Sequence, residues 1–222
     1  MNLTYETHHS IKIDNGKISV IGTNNRTVYM DFINAFSGND DQKIHLFNDK
    51  YEELELNRNV DWIGDLMEVP INSKYSRQLI KQITENLTDN EMNELHEINR
   101  KLYTLVQKSL FMVDLPLKVT PNDDLKNTFK YANVHFDSLA LNNPYDKLSS
   151  IIKLHLECHD LSIIGLTNAS HYLDGKQITE IESLCNSSGI SLIMLEFNNI
   201  SDRKLYPNCL FNYIDRDFVD WY

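Results

Sequence analysis

Apolar and polar positions along the chain fall into three stretches of different period. In the first, Ile11-Lys12-Ile13 and Lys17-Ile18-Ser19-Val20-Ile21 flank Asp14-Asn15-Gly16. Asn-Gly between two such runs predicts a β-hairpin. A helix is expected from Arg26 to Ala35, with Val28, Phe32 and Ala35 on its inner face, and strands at Lys43 to Phe47 and Val60 to Ile63. From Lys74 the period turns helical, with Tyr75, Leu79, Ile80, Ile83 and Leu87 at helix spacing. Thr88 and Glu91 form a capping box for a long helix reaching towards Phe111. Thr120-Pro121 and Asn143-Pro144 each place Pro at a helix start, the second helix ending near His159. The third stretch returns to β and α. Leu161 to Leu166 and Ser191 to Phe197 read as strands buried on both faces. Between them Asp174 with Gln177 opens a helix through Ile178, Ile181, Leu184 and Cys185, and Gly189 stands at its C-cap.

This order predicts an α/β head formed by residues 1–73 and 160–222, with an α-helical leg inserted over 74–159. At 222 residues and 41% hydrophobic, the chain has the composition of a folded globular protein. It holds no apolar run of membrane-spanning length, and the polar stretch from Met1 to Ser10 is unlike a signal peptide. Three widely spaced cysteines, Cys158, Cys185 and Cys209, fit reduced thiols in a cytoplasmic protein better than a disulfide scaffold. The net charge of -11 argues against nucleic acid as a partner when taken as a total. A total is not a distribution, and an acidic chain can carry a basic stripe if its acids lie elsewhere.

Candidate chemistry starts at the turn after Ile21. A phosphate loop there needs several glycines, then Lys and a metal-binding hydroxyl. The chain offers Gly22-Thr23-Asn24-Asn25-Arg26-Thr27, with one glycine and Arg26 in place of Lys. The favoured reading is a plain strand-to-helix turn capped by Thr23 or Asn24. The rival is a divergent P-loop NTPase or nucleotide kinase using Arg26, Thr27 and Glu196, the acid at the end of a buried strand. His155 and His159 have the i,i+4 spacing of metal ligands, with Cys158 between them. They nonetheless fall among Leu148, Ile151 and Ile152 on an apolar face, which makes them core or interface histidines. Lys74, Arg77 and Lys81 lie opposite the stripe of Tyr75, Leu79 and Ile83, Lys126 and Lys130 form an i,i+4 pair, and Lys118 precedes them. Each cluster alone reads as solvated surface; together they are the positions that would line a phosphate backbone. Asp123 fits the third position of a helix opened by Thr120-Pro121, where the helix dipole favours an acid, and Asp124 is left open as an oxygen ligand for a hard cation.

Taken in order, Gly16 to Ile21, the helix through Phe32, Lys43 to Asp49, Asp65 to Ser73 leading into the Lys74 helix, Leu161 to Asn168 and Ile190 to Asn198 resemble the Csn-two proteins of type II-A CRISPR loci. The likeness rests on order, length and local similarity over nearly the whole chain. It implies a degenerate P-loop-NTPase-like α/β head with an inserted α-helical leg, and no ATP hydrolysis. It further implies a homotetrameric ring whose basic inner surface encircles double-stranded DNA entered at free ends, acting in spacer acquisition beside other adaptation proteins, an integrase and an effector nuclease. On this resemblance the DNA-binding candidates are Lys74, Arg77, Lys81, Lys118, Lys126 and Lys130. The family's calcium-holding acids fall in the region that reads Asp114-Leu115-Pro116-Leu117-Lys118-Val119-Thr120 here. Pro116 and Lys118 stand where carboxylates are expected. That departure either moves the calcium site to Asp114, Asp123 and Asp124 or removes calcium, Lys118 instead supplying built-in charge where relatives use a cation. A third reading is an interaction scaffold whose own DNA contact is incidental.

Overall fold

A computed structural model describes residues 1–40, 42–138 and 141–221. The chain forms two compact units, Met1–Pro70 with Asp137–Tyr222, and Ile71–Phe136.

The first unit contains two sheets. Strands β1 (Asn2–Tyr5), β2 (Ile11–Lys12), β4 (Ile44–Phe47) and β5 (Glu53–Leu54) make an antiparallel sheet in the order β2-β1-β4-β5. The second sheet runs β10-β9-β3-β8-β7-β6, from β3 (Ile18–Thr23), β6 (Val60–Asp65), β7 (Ile163–Thr167), β8 (Leu192–Phe197), β9 (Leu210–Ile214) and β10 (Asp220–Trp221). All its strands are parallel except β10, which pairs antiparallel with β9. Strands β3 and β7 are buried at every position, as apolar runs covered on both faces must be. Helix α1 (Arg26–Phe36) follows β3 and buries Val28, Phe32, Ala35 and Phe36 in a core shared with Leu3, Tyr5, Ile44 and Leu46 of the first sheet and Ile193 and Leu195 of the second. The short α2 (Leu56–Asn59) leads into β6. The α/β fold class read from the sequence is the one observed.

Three local expectations change. The Asp14-Asn15-Gly16 turn is real, with Lys17 N donating to Asp14 O at 3.2 Å and Gly16 at φ 69, but it is not a hairpin. β2 pairs with β1, whereas β3 lies at the centre of the parallel sheet between β8 and β9. Ser191 fixes this crossing by accepting from Gly16 N and donating to Asp14 O, each at 3.1 Å. Burial of Ile18, Val20 and Ile21 on two faces outweighs the local turn signal.

The second change concerns the leg, expected over residues 74–159 and here Ile71–Phe136. Helix α6 (Pro144–Glu157) belongs to the first unit, packs on α7 (Gly175–Ser188) and buries Leu148, Ile151, Ile152 and Leu154. Its start matches the sequence, with Asn143 Oδ1 accepting from Tyr145 N. So does α7, whose Asp174–Gln177 capping box and left-handed Gly189 are both present.

The second unit comprises α3 (Ile71–Glu85), α4 (Asp89–Leu110) and α5 (Leu125–Tyr131). The Thr88–Glu91 capping box opens α4: Glu91 N donates to Thr88 Oγ1, and Thr88 N donates to Glu91 Oε2 at 2.8 Å. The bond from Thr88 N, with a second from Thr88 Oγ1 to the same oxygen at 2.7 Å, holds the Glu91 carboxyl below its ordinary range. Helix α5 starts later than Thr120-Pro121 implies. Asn122 Oδ1 accepts from Asp124 N at 2.9 Å, and Asn122 O accepts from the Tyr103 hydroxyl at 3.2 Å, so residues before Asp124 stay extended along α4. Asp124, not Thr120, is the N-cap, accepting from Lys126 N at 3.0 Å, and Asp123 lies outside the helix.

Candidate nucleic-acid interface

Helix α3 buries Ile71, Tyr75 and Ile80, and Leu79 and Ile83 are half-buried. Positions 74, 77 and 81 share the opposite face by helix geometry, and Lys74, Arg77 and Lys81 are all exposed there. The Lys74 ammonium lies 5.6 Å from the centre of the Tyr75 ring, and Lys81 forms a loose exposed pair with Glu85 at 3.7 Å. Such a pair is worth little and leaves the Lys81 charge available. Lys126 and Lys130 are exposed on α5, which packs on both α3 and α4, and Lys118 is exposed in the segment before α5. A bond of 2.8 Å from Asn99 Nδ2 to Thr128 Oγ1 ties α4 to α5. All six basic residues singled out in the sequence therefore lie in the unit Ile71–Phe136. That unit holds nine Lys/Arg against eight Asp/Glu, so the acidic excess of a chain with net charge -11 resides in the other unit.

Helix α4 is built unusually. Its buried side presents Asn99 with half-buried Tyr103 and Gln107, whereas Ile98, Leu102, Leu105 and Val106 are exposed, followed by Phe111 and Met112 at 80% and 88% exposure. Ile98, Leu102 and Leu105 recur at helix spacing as an apolar stripe. Periodicity alone reports such a stripe but not which way it faces.

The calcium candidates Asp114, Asp123 and Asp124 all lie in the unit Ile71–Phe136. Asp124 is committed to its cap, and among the described residues no three His, Cys, Asp or Glu side chains come together as a cation cage.

The turn after β3 is closed by its own side chains. Asn25, rather than Thr23 or Asn24, caps α1: its Oδ1 accepts from Thr27 N at 2.9 Å and Val28 N at 3.4 Å. Thr23 braces the turn by accepting from Asn25 N at 3.0 Å. The amides of Asn25, Thr27 and Val28 are thus already occupied and not free to grip a phosphate. The lone glycine serves packing, since a Cβ on Gly22 would lie 2.8 Å from the Tyr213 ring. Glu196 is engaged by its neighbours as well. Fully buried at the end of β8, it accepts from the Ser170 hydroxyl at 2.7 Å and from Ser170 N at 3.3 Å. Burial pushes its carboxyl above the ordinary range, and the two Ser170 bonds oppose that shift.

The histidine pair separates too. His155 is buried, with Nε2 2.9 Å from Asp61 Oδ2 on β6. A carboxylate only accepts, so Nε2 carries the proton. His159 is exposed beyond the end of α6 at φ 52, and the two do not share a site. Of the two alternatives, core or interface, His155 takes the first, and the exposed His159 does not.

The family model described as CRISPR-associated protein (Cas_Csn2) matches residues 36–218. This chain belongs to the Csn2 family. The match spans most of both Csn2 units, the basic helices α3 and α5 included. Among solved structures, the crystal structure of Stu0660 of Streptococcus thermophilus is 14% identical, with a TM-score of 0.63 over 100% of this chain and 76% of that chain. That likeness is one of fold. MJ1267, an ATP-binding cassette of an ABC transporter in its ADP conformation, is 10% identical with a TM-score of 0.48, over 96% of this chain and 85% of that one. No curated protein matches the chain. Among the described residues no helix is long and apolar enough to cross a membrane.

Proposed function

We propose that this Csn2-family chain is a non-catalytic, sequence-independent binder of double-stranded DNA ends that acts in CRISPR spacer acquisition as a homotetrameric ring, beside the integrase and effector nuclease of adaptation. The observation that carries this reading is the separation of charge. Lys74, Arg77, Lys81, Lys118, Lys126 and Lys130 are all exposed in the unit Ile71–Phe136, which does not carry the acidic excess. Exposed ammonium and guanidinium groups on packed helices suit phosphate oxygens without reading bases. The outward apolar stripe of α4 supports self-assembly, because large exposed apolar patches mark interaction surfaces. The closed turn at Asn25 and the buried Glu196 support a role without hydrolysis. Among the described residues of one chain no three His, Cys, Asp or Glu side chains gather, so a calcium ion at Asp114, Asp123 and Asp124 would need ligands from beyond the single chain.

A mobility-shift comparison of one duplex in linear and covalently closed circular form tests the ring. Linear duplex binds and the circle does not; equal binding of both ends the encircling reading. The triple variant Lys74→Glu, Arg77→Glu, Lys81→Glu keeps its melting temperature and loses about a hundredfold or more in affinity for linear duplex. Unchanged affinity would assign those residues to plain surface.

A further inference from the structure

Beside the closed turn lies a cleft of about 530 Å³ lined by Asn24, Asn25, Arg26, Thr27, Arg216 and Phe218. Its size falls within the range of small-ligand sites, about 300–1,000 Å³. Two of the first backbone amides of α1, those of Thr27 and Val28, are already held by Asn25. Its chemistry comes from side chains on two separate elements, Arg26 from α1 and Arg216 with Phe218 from the turn between β9 and β10. No acid lines the cleft, and neither arginine makes an ion pair among the described residues, although this unit carries the chain's acidic excess.

The far wall is held in place. Asp215 Oδ1 accepts from Asp217 N and Val219 N, each at 2.9 Å, and Asp215 Oδ2 accepts from Trp221 Nε1 at 2.9 Å. With its carboxylate so occupied, Asp215 does not compete for the guanidinium next to it in sequence. Asn25 Nδ2 donates to Arg216 O at 3.2 Å and ties this wall to the cap of α1. Phe218 sits at φ 60, rare for an aromatic residue, and leaves about half its ring exposed.

From this arrangement we propose that the cleft binds a phosphate-bearing ligand with a flat ring, a nucleotide being the smallest example, with Arg26 and Arg216 on the phosphate and Phe218 against the ring. Two guanidinium groups on one cleft repel each other, and a phosphate between them removes that repulsion while accepting from both donor forks. A base offers a face that stacks on an exposed aromatic ring. The site is one of binding alone, since among the described residues no carboxylate lines it to hold Mg²⁺ or to activate water. It does not rest on the DNA-ring reading.

Isothermal titration of the full chain at low salt with ADP, inorganic pyrophosphate and adenosine tests it. ADP and pyrophosphate bind; adenosine does not. Arg26→Gln and Arg216→Gln each weaken ADP by about tenfold or more without changing the melting temperature, both side chains being exposed. Phe218→Leu weakens ADP several-fold and leaves pyrophosphate as it was. A competition arm distinguishes the two sources of such a phosphate. Displacement of ADP by a 5′-phosphorylated linear duplex but not by its 5′-hydroxyl twin names a strand end, and displacement by neither names a free nucleotide. Failure of both ADP and pyrophosphate to bind, or equal binding to Arg26→Gln and Arg216→Gln, overturns the proposal. The Lys74→Glu, Arg77→Glu, Lys81→Glu variant keeps ADP binding whether or not it still binds DNA, so the two readings fail separately.

Discussion

At Glu196 two effects act on one carboxyl group. Burial favours the neutral acid, and the Ser170 hydroxyl and amide favour the anion; burial prevails and the carboxyl titrates above its ordinary range. The folded chain therefore keeps a proton at pH values where the unfolded chain has lost it. Stability from this group is fully present below the unfolded carboxyl's pKa and is lost as pH rises through the folded one. Glu196→Gln stays neutral throughout and still accepts from Ser170. Melting curves across pH 4 to 8 are expected to show the variant level with the native chain in acid and more stable than it near neutrality. A difference that stays constant with pH would mean that Glu196 titrates as an ordinary carboxyl. The sequence marked this acid only as the end of a buried strand. Its partner, Ser170, comes from a segment distant in sequence, and no spacing rule predicts that meeting. Asn25 teaches the same lesson over a shorter range, since Thr23, Asn24 and Asn25 are all plausible caps and only backbone geometry selects one.

Elements were legible where their own residues decide them. The capping boxes of α4 and α7, the Asn143-Pro144 start of α6 and the buried runs of β3, β7 and β8 all lie where local chemistry puts them. What each element packs against was less legible. An amphipathic helix such as α6 announces a buried face but not whether a sheet or another helix covers it, and the leg boundary moved accordingly. Strands β1 and β9, each paired on both sides, and the edge strand β10 are short and were not anticipated from the sequence. Helix α4 is the sharpest case, with polar Asn99 inside and Leu102 and Leu105 outside. If that stripe joins copies of the chain, Leu102→Gln with Leu105→Gln removes contacts worth about 1.5–3 kcal/mol per buried leucine. Light scattering would then report a smaller species, and circular dichroism unchanged helicity, because both side chains are exposed in the single chain. An unchanged mass would exclude the stripe as the joining surface.

For the whole molecule, the distribution of charge matters more than its sum. A chain with 32 acids and 21 bases looks unfit for DNA, yet its helical unit is nearly balanced and exposes Lys74, Arg77 and Lys81 along one helix and Lys126 and Lys130 on another. The sequence disclosed these clusters because helix periodicity places them. It could not disclose that the acidic excess is confined to the other unit, which depends on where the chain divides. If these side chains neutralise phosphates, each contact releases condensed counterions, and the logarithm of affinity falls with the logarithm of salt by about 0.9 per contact. Six contacts imply a loss of about a thousandfold between 50 and 200 mM salt. Lys126→Gln with Lys130→Gln should lower the slope by about two or more, because every copy in an assembly loses the same pair. Replacing two lysines that only shape the fold would lower affinity uniformly and leave the slope as it was. The salt titration thus separates residues that touch phosphate from residues that hold the helices which do.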